Sequence, residues 1–192
     1  VLVACEYSGA VRDEFLKQGH DAHSCDILPC ESKYYNNKMS GYRQRHYQQD
    51  VFEVINEGWD LMIAHPPCTH LAVSGARWFT EGRKPWSLQE EALEFVQQLM
   101  DAPIDKICIE NPVSIISTHI RKASQWIQPY QFGHGESKRT GLWLKNLPLL
   151  EPTNIVEGRE QKVWWMAPSK DRWKNRSRTY TGIAEAMASQ WG

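Results

Sequence analysis

One cysteine of this 192-residue sequence lies where a nucleophile would be well positioned. Residues 61–64 are apolar, and Pro66-Pro67-Cys68 follows soon after them. The two prolines predict the end of a strand, because proline cannot donate a ladder hydrogen bond and its φ angle is fixed. Cys68 should therefore lie on a rigid loop at the carboxyl end of a strand, the edge at which open α/β sheets bind ligands. Rigid placement suits a nucleophilic thiol, since positioning supplies much of a catalysed rate.

Acidic residues lie beside the ends of other predicted elements. Apolar runs and alternation predict buried strands over residues 1–5, 21–27, 59–65 and 105–109. Asp26 lies at the tip of the second strand, Asp50 precedes a predicted short helix over 51–57, and Glu110 follows the fourth strand. The carboxyl ends of parallel strands share one edge of a sheet, so the sequence predicts a polar site there.

Helical patterns separate these strands. Residues 11–18 predict a helix that ends at Gly19, and Ser87-Leu88-Gln89-Glu90 has the form of a capping box before a longer helix. Helical spacing recurs over 183–191, and residues 142–144 predict a later strand. The alternation predicts a Rossmann-like, doubly wound α/β fold. We expect a single domain over residues 1–192, with a long polar loop over 29–49.

Composition restricts the class of protein. The chain is 41% hydrophobic and 23% charged, as in an ordinary globular protein. Its five cysteines include no CxxC pair, which argues against a disulfide framework or a structural zinc site and fits a reducing cytoplasm. No apolar run reaches membrane-spanning length, and no signal-peptide core is recognised near residue 1. We therefore expect a cytoplasmic protein without a membrane partner.

Positive charge is concentrated in the last third of the chain. The net charge is −1, yet residues 134–178 contain ten basic and five acidic residues, a difference of +5. Trp164, Trp165 and Trp173 lie in the same segment. Basic side chains could hold a phosphate backbone while indole rings stack on bases. The segment is predicted to contact substrate, with a solvated surface as the alternative.

Three motifs together resemble those of the DNA (cytosine-5)-methyltransferases. They are Tyr7-Ser8-Gly9, Pro66-Pro67-Cys68 and Glu110-Asn111-Pro112, each following a predicted strand in the family's order. The similarity covers roughly residues 1–140 and is that of a compact, phage-like member without a full target-recognition domain. It implies that Cys68 is the catalytic nucleophile and that Glu110 activates the base. Lys138 and Arg139 match the family's arginine-bearing segment and would orient the base or a phosphate.

The resemblance also implies a cofactor and a substrate. S-adenosylmethionine would be held by the Tyr7-Ser8-Gly9 loop and by Pro66. Asp26 would bind the ribose hydroxyls, as a carboxylate at the second strand tip of a Rossmann-like sheet does. Asp50 would lie beside the adenine amino group. The substrate would be cytosine in DNA, flipped out of the stack if the DNA is a duplex.

Cys68 and Glu110 suit one reaction at cytosine. C5 of cytosine is a poor nucleophile, but addition of a thiolate at C6 makes C5 enamine-like and able to accept a methyl group. A protonated carboxyl at N3 would stabilise the charge that develops on the ring. This role requires that burial raise the pKa of Glu110, which we expect.

Other functions stay open. Thymidylate synthases have a similar Pro-Pro-Cys-His motif, and Asn175-Arg176-Ser177 resembles their phosphate-binding arginine segment, so a free nucleotide such as dCMP or dUMP is an alternative substrate. A methyltransferase fold without activity could instead serve as a binding module. Cys68 could be a small core residue. His65, Cys68 and His70 could be metal ligands, but no fourth ligand has zinc spacing, and no metal site is expected.

Overall fold

The computed structural model of the protein describes residues 1–32 and 45–192, so most of the loop predicted over 29–49 lies outside the described residues. The strands are β1 (Leu2–Ala4), β2 (His23–Cys25), β3 (His46–Tyr47), β4 (Leu61–Ala64), β5 (Lys106–Pro112), β6 (Gln125–Ile127) and β7 (Thr140–Lys145). They form a seven-stranded sheet in the order β3-β2-β1-β4-β5-β7-β6. β1 to β5 pair in parallel, whereas β7 runs antiparallel to both β5 and β6.

The central strands are buried on both faces, which explains their continuous apolar runs. Successive side chains of a strand point to opposite faces of the sheet. Leu2 and Met62 accordingly enter one apolar layer, while Val3 and Ile63 enter the other. The two layers place helices on both sides of the sheet, as the predicted Rossmann-like α/β fold requires.

Seven helices accompany the sheet in the described part of the chain. They are α1 (Ala10–Lys17), α2 (Arg77–Thr80), α3 (Ser87–Met100), α4 (Ile116–His119), α5 (Lys162–Trp165), α6 (Arg172–Ser177) and α7 (Thr181–Trp191). α1 and α7 pack in one layer through residues such as Phe15 and Met187, and α3 packs in the other through Val96 and Leu99. None of the helices in the described ranges has the length and apolarity that a bilayer crossing requires.

The boundaries of several helices and strands differ from those predicted. Trp86 occupies the N-cap of α3 and already has helical backbone angles, so Ser87 lies inside the first turn and the predicted capping box is wrong. The helix predicted over 51–57 is reduced to a 3₁₀ helix, Val51–Glu53, which Asp50 caps by accepting the Phe52 N–H at 3.0 Å. β5 continues through Pro112 because the antiparallel partner β7, which the sequence indicated only at 142–144, pairs with its last residues.

The strand order creates one natural binding crevice. β2 and β3 lie on one side of β1, and β4 and β5 lie on the other side. Where the direction of winding reverses, between β1 and β4, the connections leave on opposite faces and open a crevice beyond the carboxyl ends of the strands. The segments after β1 and β4 contain Tyr7-Ser8-Gly9 and Pro66-Pro67-Cys68.

Candidate active site

A cavity of about 110 Å³ lies at this crevice. Its walls are formed by residues 5–8 after β1, residues 65–68 after β4, residues 110–112 at the end of β5, and Lys138. Residues 176–179 form a further wall and belong to residues 172–179, which we call the covering segment. Cys68 and Glu110 therefore line one cavity, together with Tyr7, Ser8 and Pro66.

Cys68 is partly buried on a hydrogen-bonded loop. Its carbonyl oxygen accepts the N–H groups of Leu71 at 3.1 Å and Ala72 at 2.9 Å. Burial raises the pKa of the Cys68 thiol, and the charge of Glu110 raises it further, although Lys138 acts in the opposite direction. The thiol is therefore protonated at neutral pH and must lose its proton before it can act as a nucleophile.

Asn111 fixes the loop that carries Cys68. Its side-chain amide donates to the carbonyl oxygen of Pro66 at 2.9 Å, and the residue is buried. This hydrogen bond joins the end of β5 to the first proline, while the prolines themselves restrict the backbone. Through this hydrogen bond, Asn111 sets the distance between the loop that contains the Cys68 thiol and the strand that contains the Glu110 carboxylate.

Glu110 is paired with His65, which lies directly after β4. Nδ1 of His65 is 2.9 Å from Oε2 of Glu110, and the two side chains are only 10% and 13% exposed. The backbone N–H of His65 donates to the Ala4 carbonyl at 2.9 Å, which continues the sheet ladder by one residue and holds the imidazole at the cavity. The pair connects the ends of β4 and β5 within the cavity wall.

The pairing corrects the expected protonation of Glu110. Burial alone would raise the pKa of this carboxyl, but the hydrogen bond from His65 and the charges of His65 and Lys138 outweigh it, so the pKa of Glu110 is lowered. Burial would lower the pKa of His65, yet Glu110 and Glu6 outweigh it and the pKa is raised. The prediction that Glu110 holds a proton because it is buried is therefore wrong. Within the pair, the imidazole rather than the carboxyl therefore holds the proton.

A second buried carboxylate, Glu6, lies in the turn between β1 and α1. Its oxygens accept the N–H of Val11 at 2.6 Å and of Arg12 at 3.3 Å, at the amino end of α1. Burial raises the pKa of Glu6, while the charge of His65 and these hydrogen bonds partly offset the effect. In dinucleotide-binding folds the corresponding amides hold a phosphate. Here a carboxylate of the chain occupies them.

Asp26 and Asp50 lie beside the cavity and do not line it. Asp26 follows β2, and its carboxylate accepts the Leu28 N–H at 2.9 Å; burial raises its pKa. Asp50 caps the 3₁₀ helix after β3. Cys5 does line the cavity, and the charges of both aspartates act on its thiol, whose pKa burial raises strongly. The two acids are thus grouped at the β2–β3 side of the cavity.

Gly9 and Arg139 also lie outside the described lining of the cavity. Gly9 has φ +75°, and a Cβ there would come within 2.6 Å of the Arg12 guanidinium, so its role in this position is conformational. The Arg139 guanidinium lies 4.4 Å from the Trp126 ring. Lys138 lines the cavity instead, because adjacent residues entering a strand point to opposite sides.

The covering segment is attached to the cavity by side chains. The Tyr7 hydroxyl donates to the carbonyl oxygen of Lys174 at 3.0 Å. Glu31 forms ion pairs with Lys174 at 3.3 Å and Arg178 at 2.5 Å, and these pairs with hydrogen bonds lower its pKa even though desolvation opposes them. Arg176 lines the cavity.

Exposed indoles accompany this basic segment. Trp173, in α6, is 53% exposed and lies 5.9 Å from the Tyr7 ring between centroids. Trp165, in α5, is 84% exposed. Large exposed aromatic side chains beside cationic residues form the kind of surface on which bases stack.

In the residues that the structure describes, no group of three His, Cys, Asp or Glu side chains is arranged to hold a metal ion.

Sequence reasoning missed Glu6 as a site residue and considered His65 only as a metal ligand. A signal for both was present. Glu6 follows β1 as Asp26 follows β2, and His65 is the last residue of the predicted strand before the prolines. Their partners, however, depend on which strands are neighbours, and β1, β4 and β5 are separated in sequence.

Comparison with solved structures finds similarity of overall structure. A solved structure from E. coli, described provisionally as a DNA modification methyltransferase encoded within a prophage, is 15% identical with a TM-score of 0.49. The match covers 87% of this chain and 54% of that chain, so the present chain spans about half the length of that protein. No protein-family profile matches the sequence, and no curated protein matches it.

Three kinds of functional group meet at one cavity. A thiol and a carboxylate paired with an imidazolium face the same space. Lys138 and Arg176 supply positive charge at its rim. Such a site can add sulfur to an electron-poor ring carbon while it places a proton on a ring nitrogen.

Proposed function

We propose that the protein is an S-adenosylmethionine-dependent methyltransferase that methylates C5 of cytosine in DNA, through a covalent adduct between Cys68 and C6. The observation that carries the proposal is the convergence of Cys68 and Glu110 on one cavity at the reversal point of the sheet. Two residues 42 positions apart in sequence are the pair that this reaction needs.

Cys68 has the role of nucleophile in this proposal. Its thiol loses a proton to solvent, and the sulfur forms a bond to C6. The C5–C6 π pair then forms a C4–C5 double bond, and the C4–N3 π pair moves to N3, where a proton binds. After C5 has accepted the methyl group, it loses its own proton to solvent, the C6–S bond breaks, the proton at N3 is returned, and the released thiolate takes up a proton from solvent. Atoms and charge balance with the net release of one proton.

The cofactor site is proposed on the β1–β2–β3 side of the cavity. S-adenosylmethionine, when bound, supplies an electrophilic methyl group on a sulfonium. Buried Glu6 occupies the α1 amides that would hold the phosphates of a dinucleotide, and its negative charge suits a cationic cofactor. Tyr7, Ser8 and Pro66 would contact the cofactor, Asp26 the ribose hydroxyls and Asp50 the adenine. Gly9 would act by shaping the turn.

DNA is the proposed macromolecular partner. Residues 134–178 would contact it, with Trp165 and Trp173 as exposed rings and Lys138 and Arg176 as cations near the reacting base. Phosphate contacts of this kind make affinity fall as salt rises. The base would have to leave the stack to reach the cavity.

Modification of a free pyrimidine nucleotide is the second candidate. Lys138 and Arg176 line the same small cavity as Cys68, and their charges act on its thiol. A single phosphate could be held by that pair as readily as a DNA backbone. The two candidates share Cys68 and Glu110 and differ in what the cations bind.

Transfer of labelled methyl groups tests the proposal. The protein is incubated with S-adenosylmethionine carrying a tritiated methyl group and, separately, with duplex DNA, single-stranded DNA or dCMP, followed by digestion and separation of the nucleosides. We expect label in 5-methylcytosine from DNA. Label on dCMP alone would favour the second candidate, and label at an amino group would contradict attack at C5. Calorimetry without heat of S-adenosylmethionine binding would favour a binding module.

The variant Cys68→Ala should reduce transfer by at least about 10³-fold, because the reaction loses its covalent route. The melting temperature should remain near that of the unaltered protein, since Cys68 is only partly buried. Cys30→Ala is the matched control: it also removes a partly buried thiol, but one outside the cavity, and should retain transfer. Full transfer by Cys68→Ala would exclude the adduct.

A further inference from the structure

The His65–Glu110 pair holds its proton on His65, whereas the proposed reaction uses it on Glu110. Glu110 must place a proton at N3, yet the imidazolium of His65 keeps the carboxyl ionised. A titratable nitrogen, Nδ1 of His65, lies 2.9 Å from the carboxylate. A source of the N3 proton is therefore built into the cavity wall.

We infer that His65 is the proton reservoir for Glu110, so that the pair and not the carboxyl alone acts as the general acid. The inference rests on the proposed function. The Nδ1–H bond of His65 breaks and its proton joins Glu110, while Glu110 gives one proton to N3 as sulfur adds to C6. The imidazolium becomes neutral imidazole, N3 gains the proton, and the carboxylate is unchanged at the end. Collapse of the adduct returns the proton along the same path.

The groups around the imidazole favour this storage. Glu110 in β5 and Glu6 after β1 both stabilise the imidazolium, whereas Lys138, before β7, opposes it. Nε2 of His65 is buried and has no hydrogen-bond partner among the residues that the structure describes. The ring is thus fixed by Glu110 at one nitrogen, whereas the buried Nε2–H of the imidazolium adds a cost that the two carboxylates must offset. In the proposed reaction His65 acts on the reacting ring through Glu110, so it is a positioning residue.

The alternative is that His65 only orients Glu110. His65→Gln separates the two roles, because a glutamine amide can still donate a hydrogen bond to the carboxylate but cannot store a titratable proton. Loss of the imidazolium would also leave burial as the dominant influence on Glu110, so the carboxyl would take its proton from solvent at low pH. The two roles therefore predict different dependences of rate on pH.

The first measurement needs neither cofactor nor substrate. Nitrogen-15 NMR of histidine-labelled protein reports how many ring nitrogens of His65 are protonated, with His65→Gln assigning the signal. We expect both nitrogens to be protonated at neutral pH, and the titration midpoint to fall by at least about one pH unit in Glu110→Gln. A neutral His65 ring at neutral pH in the unaltered protein would overturn the inference.

The second measurement compares kcat with pH for the unaltered protein, His65→Gln and the control His119→Gln, whose residue is exposed in α4. We expect kcat of His65→Gln to fall by about 10²-fold near neutral pH and its optimum to move to lower pH, with KM for DNA almost unchanged. A fall that is uniform at every pH would overturn proton storage and leave only orientation. His119→Gln should keep the original profile.

The two arms distinguish this inference from the proposed function. If the unaltered protein transfers no methyl group to cytosine, the proposed function fails whatever the NMR titration gives. If it transfers methyl groups while His65 is neutral, only the reservoir fails. If the His65→Gln variant does not fold, His65→Asn assigns the signal instead, and the Glu110→Gln titration is then the deciding result.

Discussion

The two walls of the candidate active site are built differently. On one side, residues 65–68 continue directly from β4 and residues 110–112 end β5, and a buried Asn111–Pro66 hydrogen bond joins the two segments. On the other side, the covering segment is attached through Tyr7 and the ion pairs of Glu31, which are partly exposed to solvent. The strand wall contains Cys68 and Glu110, and the covering wall contains Arg176.

This difference matches the tasks that the two walls have in the proposed reaction. Bond formation to C6 needs a sulfur and a proton donor held to within a fraction of an ångström, which a hydrogen-bonded sheet edge provides. Binding of a phosphate backbone tolerates more variation, and partly exposed ion pairs contribute little stability. We therefore expect perturbations of the strand wall to affect rate and stability, and those of the covering wall to affect affinity.

The largest effect outside the two proposed catalytic residues should come from Asn111→Ala. The Pro66 carbonyl would lose its buried donor, which costs about 1–3 kcal/mol in the free energy of unfolding. The Pro66-Pro67-Cys68 loop would also shift relative to Glu110, so kcat should fall by about 10²-fold. Urea unfolding and steady-state kinetics measure the two effects.

Asn56→Ala, at an exposed position, is the control for Asn111→Ala and should leave both quantities nearly unchanged. A normal kcat in Asn111→Ala, together with the expected loss of stability, would show that the loop keeps its position without this hydrogen bond. The strand wall would then be held by the prolines alone.

Glu31→Gln should have a smaller and different effect. It removes both ion pairs of the covering segment, which together contribute at most about 1 kcal/mol to stability because they are partly exposed. We expect kcat to stay nearly constant and KM for DNA to rise a few-fold. Glu185→Gln, which removes the same charge at an exposed site in α7, is the matched control.

The pH dependence of stability gives a further check on Glu31. The pKa of Glu31 is lowered in the folded protein, so its stabilisation is present above the pKa of the unfolded chain and is lost as pH falls through the folded value. The stability difference between the unaltered protein and Glu31→Gln should therefore shrink in acid. A difference that is constant across this range would mean that the ion pairs do not hold the segment.

The same contrast explains what the sequence could and could not reveal. Strand ends have local signatures, so the Pro-Pro pair placed Cys68 after β4 and the apolar run placed Glu110 at the end of β5. The partners of those residues are not local: His65 meets Glu110 only because β4 and β5 are neighbours, and this pairing reverses the protonation that burial alone predicts.

The covering wall was less predictable for a related reason. Residues 145–179 have no clear hydrophobic period, since α5 and α6 are short and contribute little to the core. Their basic and aromatic composition indicated a contact surface, but the composition does not specify which side chains reach the cavity. Arg139 and Lys138 are adjacent in sequence, and only their entry into β7 decides that Lys138 lines the cavity while Arg139 lies over Trp126.

Trapping of the covalent adduct tests the central claim most directly. Cytosine with fluorine at C5 can receive the methyl group but then has no C5 proton to lose, so the C6–S bond cannot break by elimination. With S-adenosylmethionine and DNA containing this base, we predict a complex that survives denaturation, whose mass is that of protein plus methylated DNA, with Cys68 as the linked residue and no complex from Cys68→Ala. A protein that transfers methyl groups to ordinary cytosine yet forms no such complex, or forms it through another cysteine, would contradict the account.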